Sequence, residues 1–501
     1  MVAPKWPGWY RAGRFMDVIG ISFLVYTLAI MGFGLYTARF AKKSSQDYFL
    51  ADRGLGAWVA ALSSSASAES GWVTLGLVGT AFKVGLSALW IVPGTVAAFL
   101  FNWFVIANRL RRISKQHGQI TIPDVLVGTH TGGGAVAIRV FSVVVILSML
   151  AFYVAAQMTA AAKTFHGTFG WHYLVGVGVG AAIVLIYTVV GGFRAVAWTD
   201  VVQAIFMIFA MIVLPIIMIF KLGGFGPMME TLRGLEAVPD LKAQGNLTDG
   251  VAGKTGMALF GFFALWLCIP LGYPGQPHVL VRFMATKDEK SVRQAGMIAT
   301  AWVGVLLAGA VFLGLAARAY FQGMGGLEGL TDPEEVLPIA ARELLPGLLA
   351  GVMVAAVMAA ICSTADSQLL VTASAVSHDL YVRMTKKERT EQSKFIVNRV
   401  TVLVIGLIAM GIAMTGSRVV FDFVLYAWAG LGSAFGPGLI LSLLWRGTTS
   451  WGVLAGIIVG FGGTIAWVQF FKEPTGIYEM GPAFLAAFVA VVVVSLITSE
   501  K

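Results

Sequence analysis

Two long apolar runs of this chain are interrupted by small and helix-breaking residues, Ser63-Ser64-Ser65-Ala66-Ser67-Ala68-Glu69-Ser70-Gly71 and Ile269-Pro270-Leu271-Gly272-Tyr273-Pro274-Gly275-Gln276-Pro277. Within a bilayer an unwound stretch exposes N–H and C=O groups that lipid leaves unsatisfied, so it persists only where it lines a cavity or is buried in protein. Paired breaks at corresponding positions in two halves of a chain point to the central binding site of a transporter. The first break also carries Glu69, and an acid at membrane depth is a functional hypothesis in itself.

The remaining sequence supports a membrane setting. Of 501 residues, 58% are hydrophobic and 12% charged, with a mean hydropathy of +0.82, which describes an all-α polytopic membrane protein. Apolar runs of about 20 residues define thirteen spans, near 17–38, 55–81, 85–107, 138–163, 172–191, 199–221, 255–276, 295–320, 344–372, 398–416, 421–445, 451–471 and 479–497. The net charge of +10 does not indicate nucleic acid, because the basic residues cluster in particular loops. Arg39, Lys42, Lys43 and Arg53 follow span 1; Arg109, Arg111, Arg112 and Lys115 follow span 3; Arg282, Lys287, Lys290 and Arg293 follow span 7; Arg383, Lys386, Lys387, Arg389 and Lys394 follow span 9. The positive-inside rule places these loops in the cytoplasm, and the acidic loop with Glu328, Asp332, Glu334 and Glu335 outside. With an odd span count, the N-terminus is expected outside and the C-terminus inside a cell inner membrane, although Lys5, Arg11 and Arg14 pull mildly the other way.

No composition shift divides the chain, so residues 1–501 read as a single membrane domain, with longer loops at 222–254 and 321–343. Spans 2–6 (55–221) and 7–11 (255–445) form two candidate repeats of five, flanked by 1–54 and 446–501, and an odd number of spans makes such repeats inverted. The two cysteines, Cys268 and Cys362, lie within spans and have no metal or disulfide spacing.

Span 9 contains Ala360-Ile361-Cys362-Ser363-Thr364-Ala365-Asp366-Ser367-Gln368, in which Ser363, Asp366 and Ser367 share one helical face. Hydroxyls, carboxylates and carbonyls replace the hydration shell of a hard alkali cation, whereas the bland reading is hydrogen bonding between helices. Asp200 reads either as a helix cap or interfacial acid or as a functional residue. Glu69 reads as functional, its alternative being a partner for a buried arginine, yet no basic residue lies deep in a span. Tyr273 offers a ring face and a hydroxyl to a small solute, while His278 reads as a satisfied helix-end histidine. Trp266 and the other tryptophans read as packing or interfacial anchors. No nucleophile with its base, metal cluster or nucleotide loop is evident, so the chain is not expected to be an enzyme.

These residues resemble the sodium:solute symporter family, and within it the bacterial sodium/proline symporter branch. The resemblance rests on Asp47-Tyr48-Phe49-Leu50, Ala61-Leu62-Ser63, Ser70-Gly71-Trp72, Gly191-Gly192-Phe193, Ala197-Trp198-Thr199-Asp200, Gly275-Gln276-Pro277-His278, Arg282-Phe283-Met284, Gln368-Leu369-Leu370, Tyr426-Ala427-Trp428-Ala429-Gly430 and Phe435-Gly436-Pro437. It implies about thirteen transmembrane helices, a LeuT-like 5+5 inverted repeat and sodium-driven uptake of a small organic solute, with amino acids such as proline among the candidates. It also implies a sodium site formed by Ala66, Glu69, Ala360, Ser363 and Thr364, and a second site in some members that maps onto Asp200, Ser363, Asp366 and Ser367, giving one or two coupling Na⁺ ions. Solute contacts are assigned to Glu69, Ser70, Tyr273, Gln276 and Pro277, which flank the breaks. Two departures stand out: the span 2 acid of the proline symporters is replaced by Ala68, with Glu69 beside it, and their span 7 tryptophan by Ile269.

Alternatives are a proton-coupled symporter working through Glu69, a transporter-like membrane sensor, or a channel. The expected partners are a small solute and the bilayer, with no nucleic acid and no obligate protein partner. Glu69 has three candidate roles: sodium ligand, partner of a substrate ammonium, and proton carrier.

Overall fold

The computed structural model describes residues 12–39, 44–128, 133–190, 192–236, 247–251, 254–323, 332–384, 389–415 and 419–499. Lys5, Arg11, Lys42, Lys43, Gly191, Glu328, Lys386 and Lys387 lie outside the described residues. Regular structure among the described residues is all helix, apart from one isolated bridge between Leu55 and Thr286.

Each of the thirteen predicted spans coincides with helix. Span 1 is Ala12–Ala38, span 2 is Ala57–Ala68 followed by Trp72–Leu77 and Val78–Val84, and span 3 reaches Gln116. Span 4 is Gly133–Phe169, span 5 Tyr173–Val190, span 6 Phe193–Lys221, and span 7 is Gly256–Cys268, Ile269–Gly275 and Pro277–Ala285. Span 8 is Glu289–Gly323, span 9 Gly347–Ser374 with a continuation to Val382, and span 10 Glu391–Met414. Span 11 is Val420–Leu444, span 12 Ser450–Ala466 continuing to Phe471, and span 13 Met480–Thr498. Among the described residues, eleven segments are individually long and apolar enough to cross a bilayer. The second half of span 2 runs into span 3 through a reversal at Gly85 (φ 74), where an added Cβ would collide with the Leu247 backbone. The segments read as long loops contain their own helices, Phe225–Glu236 against span 8 and Pro333–Glu335 with Val336–Leu344 against spans 2 and 9.

Span 9 is the axis of the bundle, buried along most of its length and packed on spans 1, 4, 6 and 10 and the first half of span 2. Lipid supplies no hydrophobic drive for helices to associate, so close approach must come from small side chains. Span 9 provides them in Ala350, Gly351, Ala355, Ala356, Ala359 and Ala360, all buried, and at Gly351 a Cβ would sit 2.9 Å from the Ile19 carbonyl of span 1.

The two ends of the bundle differ in charge. At the acidic end, Glu334 accepts from the backbone N–H groups of Val420 and Phe421 (2.9 and 3.0 Å) and from Lys163 Nζ of span 4 (2.6 Å). A carboxylate there complements the exposed N–H groups and positive dipole at the start of span 11.

At the basic end, Ala51, Asp52 and Arg53 are all left-handed (φ 46, 54 and 55), a conformation that L-residues hold only when their surroundings over-determine it. Arg53 supplies that constraint: its guanidinium donates to Ser114 Oγ (2.9 Å), Ser114 O (3.1 Å), Met284 O (3.0 Å) and Gln119 O (2.6 Å). On the other side Arg194 of span 6 holds Asp47 (2.7 Å) and the Ala51 carbonyl (3.2 Å). Next in the chain, Leu55 N donates to Ala285 O (3.1 Å) and accepts at its carbonyl from Lys287 N (2.9 Å), joining the entry to span 2 to the exit from span 7.

Beside this lies a buried ionic cluster. Asp124 accepts from His378 Nε2 (2.7 Å) and pairs with Arg139 (2.7 Å), which also holds Asp379 (2.8 Å). Burial alone would raise the Asp124 carboxyl, but the His378 hydrogen bond and the charges of His378, Arg139 and Arg383 outweigh it and hold the group well below the usual range. A carboxyl depressed in the folded state stabilises the fold above its unfolded pKa of about 3.9, and that contribution fades only as pH falls through the lower folded value. Thermal unfolding of the detergent-solubilised protein is therefore predicted to be insensitive to this group between about pH 7 and pH 5. Asp124→Asn should lower stability at pH 7 by about 3 kcal/mol; an unchanged melting midpoint would show that the cluster contributes nothing.

Candidate functional site

The first break is short. The helix of span 2 ends at Ala68, and Glu69 (φ −102, ψ 74) leaves helical geometry while its N–H still reaches Ser65 O (2.9 Å). Gln157 of span 4 then serves the broken backbone: its Oε1 accepts from Gly71 N (3.0 Å) and its Nε2 donates to Ser70 Oγ (3.2 Å). Trp72 closes the other side, its indole N–H donating to Ala68 O (3.2 Å).

The second break winds Ile269–Gly275 into a tight 3₁₀ turn, because Pro270 and Pro274 lack the N–H groups that an α-helix needs. Trp428 of span 11 donates its indole N–H to Ile269 O (2.8 Å), and Gln276 Nε2 donates to Gly272 O (3.2 Å) and Trp428 O (3.1 Å). Gly275 and Gly432 touch backbone to backbone, since a Cβ on Gly275 would lie 2.6 Å from Gly432 Cα.

One side-chain bond joins the breaks: the Tyr273 hydroxyl donates to Glu69 Oε1. The Tyr273 ring stands edge-on to Trp428 and Phe99, with centroids 4.7 and 5.0 Å apart. Glu69 Oε2 is buried with no hydrogen-bond partner. Tyr153 of span 4 stands edge-on to Trp428 and His278, with ring centroids 6.5 and 5.8 Å apart.

A second constellation lies below the first break. Ser363 Oγ donates to Ala66 O (3.0 Å) and Ala360 O (3.1 Å), and Thr364 Oγ1 donates to Ala66 O (3.3 Å) and Ser67 O (3.1 Å). Two hydroxyls and the carbonyls of Ala66 and Ala360 thus converge between spans 2 and 9, a hard-oxygen set of the kind that takes an alkali cation. Of Glu69, Oε1 is held by Tyr273 of the other break and Oε2 has no partner.

Asp200 departs from its sequence reading as a helix cap: it sits fully buried in the third turn of span 6. Its Oδ2 accepts from Ser63 Oγ (2.6 Å), Ser67 Oγ (3.4 Å) and Arg282 Nη2 (3.0 Å). Arg282 corrects the expectation that no basic residue lies deep. Assigned by sequence to a loop, it is fully buried in the second half of span 7, donating to Ser63 Oγ (3.0 Å), Ser367 Oγ (2.5 Å) and His278 O (2.5 Å) over the Phe193 ring. Asp366 Oδ1 accepts from Ser367 Oγ (3.2 Å) and its Oδ2 has no partner. His278 is not satisfied as expected; both ring nitrogens are buried and unpartnered.

The geometry has close relatives. The family model for sodium:solute symporters matches residues 48–460. The chain belongs to the sodium:solute symporter family. It is 38% identical over 482 residues to the sodium/proline symporter of Escherichia coli (strain K12), covering 95% of this chain and 92% of that protein. It is 36% identical over 483 residues to the osmoregulated proline transporter OpuE of Bacillus subtilis (strain 168), covering 96% and 95%. Among solved structures, a Na⁺-coupled sialic acid symporter in a substrate-bound outward-open state shares the fold, with a TM-score of 0.80 at 16% identity, 96% of this chain and 98% of that one. The five-plus-five inverted-repeat fold implied by the sequence is the fold observed.

Gln157, Trp428 and Arg282 are the site residues that sequence reasoning passed over. Breaking a buried ion pair strands a charge at a cost of about 3–5 kcal/mol. Arg282→Met is accordingly predicted to lower the thermal stability of the purified protein severely, and Arg282→Met with Asp200→Asn to recover much of the loss. Additive losses in a double-mutant cycle would show that the two do not act as a pair.

Proposed function

We propose that this symporter takes up a small amino acid, with L-proline as the leading candidate, driven by one sodium ion per solute. The observation that carries the sodium site is the convergence of Ser363 Oγ and Thr364 Oγ1 on the Ala66 and Ala360 carbonyls across the first break. The solute sits between the breaks against Tyr273, Pro277 and Ser70, with Glu69 and Gln276 at its edge; the proline transporters named above support this solute class, and Ile269 leaves its wall free of the tryptophan their branch carries. The second cation set, Asp200, Ser363, Asp366 and Ser367, holds the Arg282 guanidinium, which supplies the positive charge that two neighbouring acids require. This favours a single coupling ion.

Transport alternates access about the midplane site between the two breaks. The basic end faces the cytoplasm of an inner membrane, with the N-terminus outside and the C-terminus inside. One charge moved across 100 mV is worth about 2.3 kcal/mol, which at 1.4 kcal/mol per tenfold supports roughly fortyfold accumulation before the sodium gradient adds its share.

In proteoliposomes, Ser363→Ala and Thr364→Ala are each predicted to raise the half-saturating sodium concentration for L-proline uptake about tenfold or more, about 1.4 kcal/mol for one lost oxygen ligand. Unchanged sodium activation in both variants would remove them from the site. Wild-type uptake should show a sodium Hill coefficient of one; a coefficient near two with two charges per solute would restore the second ion. A cysteine at the exposed Arg112 should react with impermeant thiol reagents only from the cytoplasmic side, and labelling from outside would reverse the orientation.

A further inference from the structure

The ionic cluster at the basic end of the bundle contains more acceptor atoms than its ion pairs use. Asp124 comes from the short helix Ile122–Val127 that precedes span 4, and His378 and Asp379 from the continuation of span 9. Arg139 of span 4 engages one oxygen of each acid. Its Nη2 lies 2.7 Å from Asp124 Oδ1, and its Nη1 donates to Asp379 Oδ1 (2.8 Å), which also accepts from Thr121 Oγ1 (3.0 Å). The other oxygens are served differently. Asp124 Oδ2 meets His378 Nε2 (2.7 Å), the Ile120 N–H (3.3 Å) and, at 3.6 Å, Arg383 Nη2. Asp379 Oδ2 is buried without a hydrogen-bond partner among the described residues, on a side chain that is 0% exposed. A buried acceptor with no donor is costly, and a second carboxylate beside it adds to the cost.

A cation of the right chemistry would remove that cost. One ligand atom from each of Asp124, His378 and Asp379 lies within 4.8 Å of the other two. An imidazole nitrogen with two carboxylate oxygens suits Zn²⁺ and its first-row neighbours, whereas Mg²⁺ and Ca²⁺ take oxygen alone. Three protein ligands leave a fourth position for water. Arg139 then stands where metal sites carry their outer shell, orienting both carboxylates through the oxygens that the ion does not use. The backbone is unusual at the same place: span 9 is π-wound over Ala375–Val382, with Arg383 N bonded to His378 O five residues back (3.0 Å), and such turns concentrate at functional sites. We propose that Asp124, His378 and Asp379 form a Zn²⁺ site that staples the helix Ile122–Val127 to the end of span 9. The ion takes the place of the proton between His378 Nε2 and Asp124 Oδ2, which leaves to water, and it gives Asp379 the partner it lacks. Arg383, its side chain 45% exposed, competes with the ion for Asp124 and turns to water when the ion binds. Thr121, Pro123 and Ser374, close to the ligands in the chain, form one wall of a cavity whose other wall carries Phe49, Phe193 and Val281. A bound ion therefore fixes one side of that cavity and leaves the other free.

Zinc binding to the tag-free, full-length purified protein tests the site, with the metal alone as the probe. After EDTA treatment and buffer exchange the wild type should bind one Zn²⁺ per chain in calorimetric titration, its melting midpoint should rise with zinc concentration, and Mg²⁺ should not compete. His378→Gln and Asp379→Asn should each weaken binding by more than about 100-fold, past what loss of an outer-shell partner costs, and Arg383→Gln should tighten it. Should the ligand variants not fold, the wild type decides: Co²⁺ should give the intense visible bands of a four- or five-coordinate nitrogen–oxygen site, bleached by one equivalent of Zn²⁺. The proposal is overturned by a wild type that binds no zinc, by undiminished binding in folded His378→Gln and Asp379→Asn, which would place the metal on surface histidines, by weaker binding in Arg383→Gln, or by a cobalt form with only the faint bands of a hydrated ion.

Discussion

Everything at the centre of this transporter follows from the requirement that an unwound backbone at membrane depth find its hydrogen bonds inside the protein. The two breaks expose a small number of N–H and C=O groups, and side chains take them up: from outside the breaks Gln157 the Gly71 amide and Trp428 the Ile269 carbonyl, and from within the second break Gln276 the Gly272 carbonyl. Each bond contributes modestly by itself, but leaving its partner bare in hydrocarbon would cost several kcal/mol. Spans 4 and 11 are thereby tied to the breaks by polar contacts, and whatever moves the breaks must work against them. The bound positions of Glu69 and Tyr273 are consequences of that scaffolding.

The electrostatics are arranged in layers. Hard neutral oxygens lie between spans 2 and 9, an arginine pairs with Asp200 between spans 6 and 7, and a carboxyl with one phenolic donor bridges the breaks themselves. Three neighbouring sites with three different charge balances suit a device that must bind a cation transiently without trapping it. A cage of neutral hydroxyls and carbonyls holds sodium less tightly than a carboxylate would, which favours release on the far side.

Much of this was legible in the sequence, and the gaps have physical causes. The spans and both breaks were readable because the bilayer imposes a length on each apolar run and a penalty on each interruption. Ser363 was readable as part of a polar face of a buried helix and Thr364 through the family resemblance, and the structure brings both to Ala66. Arg282 was misplaced because the second half of span 7, Pro277–Ala285, is short and carries His278 and Arg282, so its hydropathy resembles a loop although it is buried throughout. Asp200 resembled a cap because it stands near the start of its apolar run; about two turns of helix deeper than that reading, it meets an arginine 82 residues away. Gln157 and Trp428 gave no local signal, since a single polar atom in a long apolar helix declares its role only through a partner distant in sequence.

The bridge at Leu55 bears on how such proteins can be recombined. Two backbone hydrogen bonds join the entry to span 2 and the exit from span 7, and Arg53 adds bonds to Met284 and to the segment around Ser114 and Gln119. The half-helices on the basic side of the two breaks are therefore one mechanical piece, although more than 200 residues of chain separate them. A chimera between relatives that exchanges residues 44–56 without 284–290 would join halves of two different levers. A cut placed between the two five-span halves therefore divides a part of this chain that its own backbone and arginine hydrogen bonds hold together.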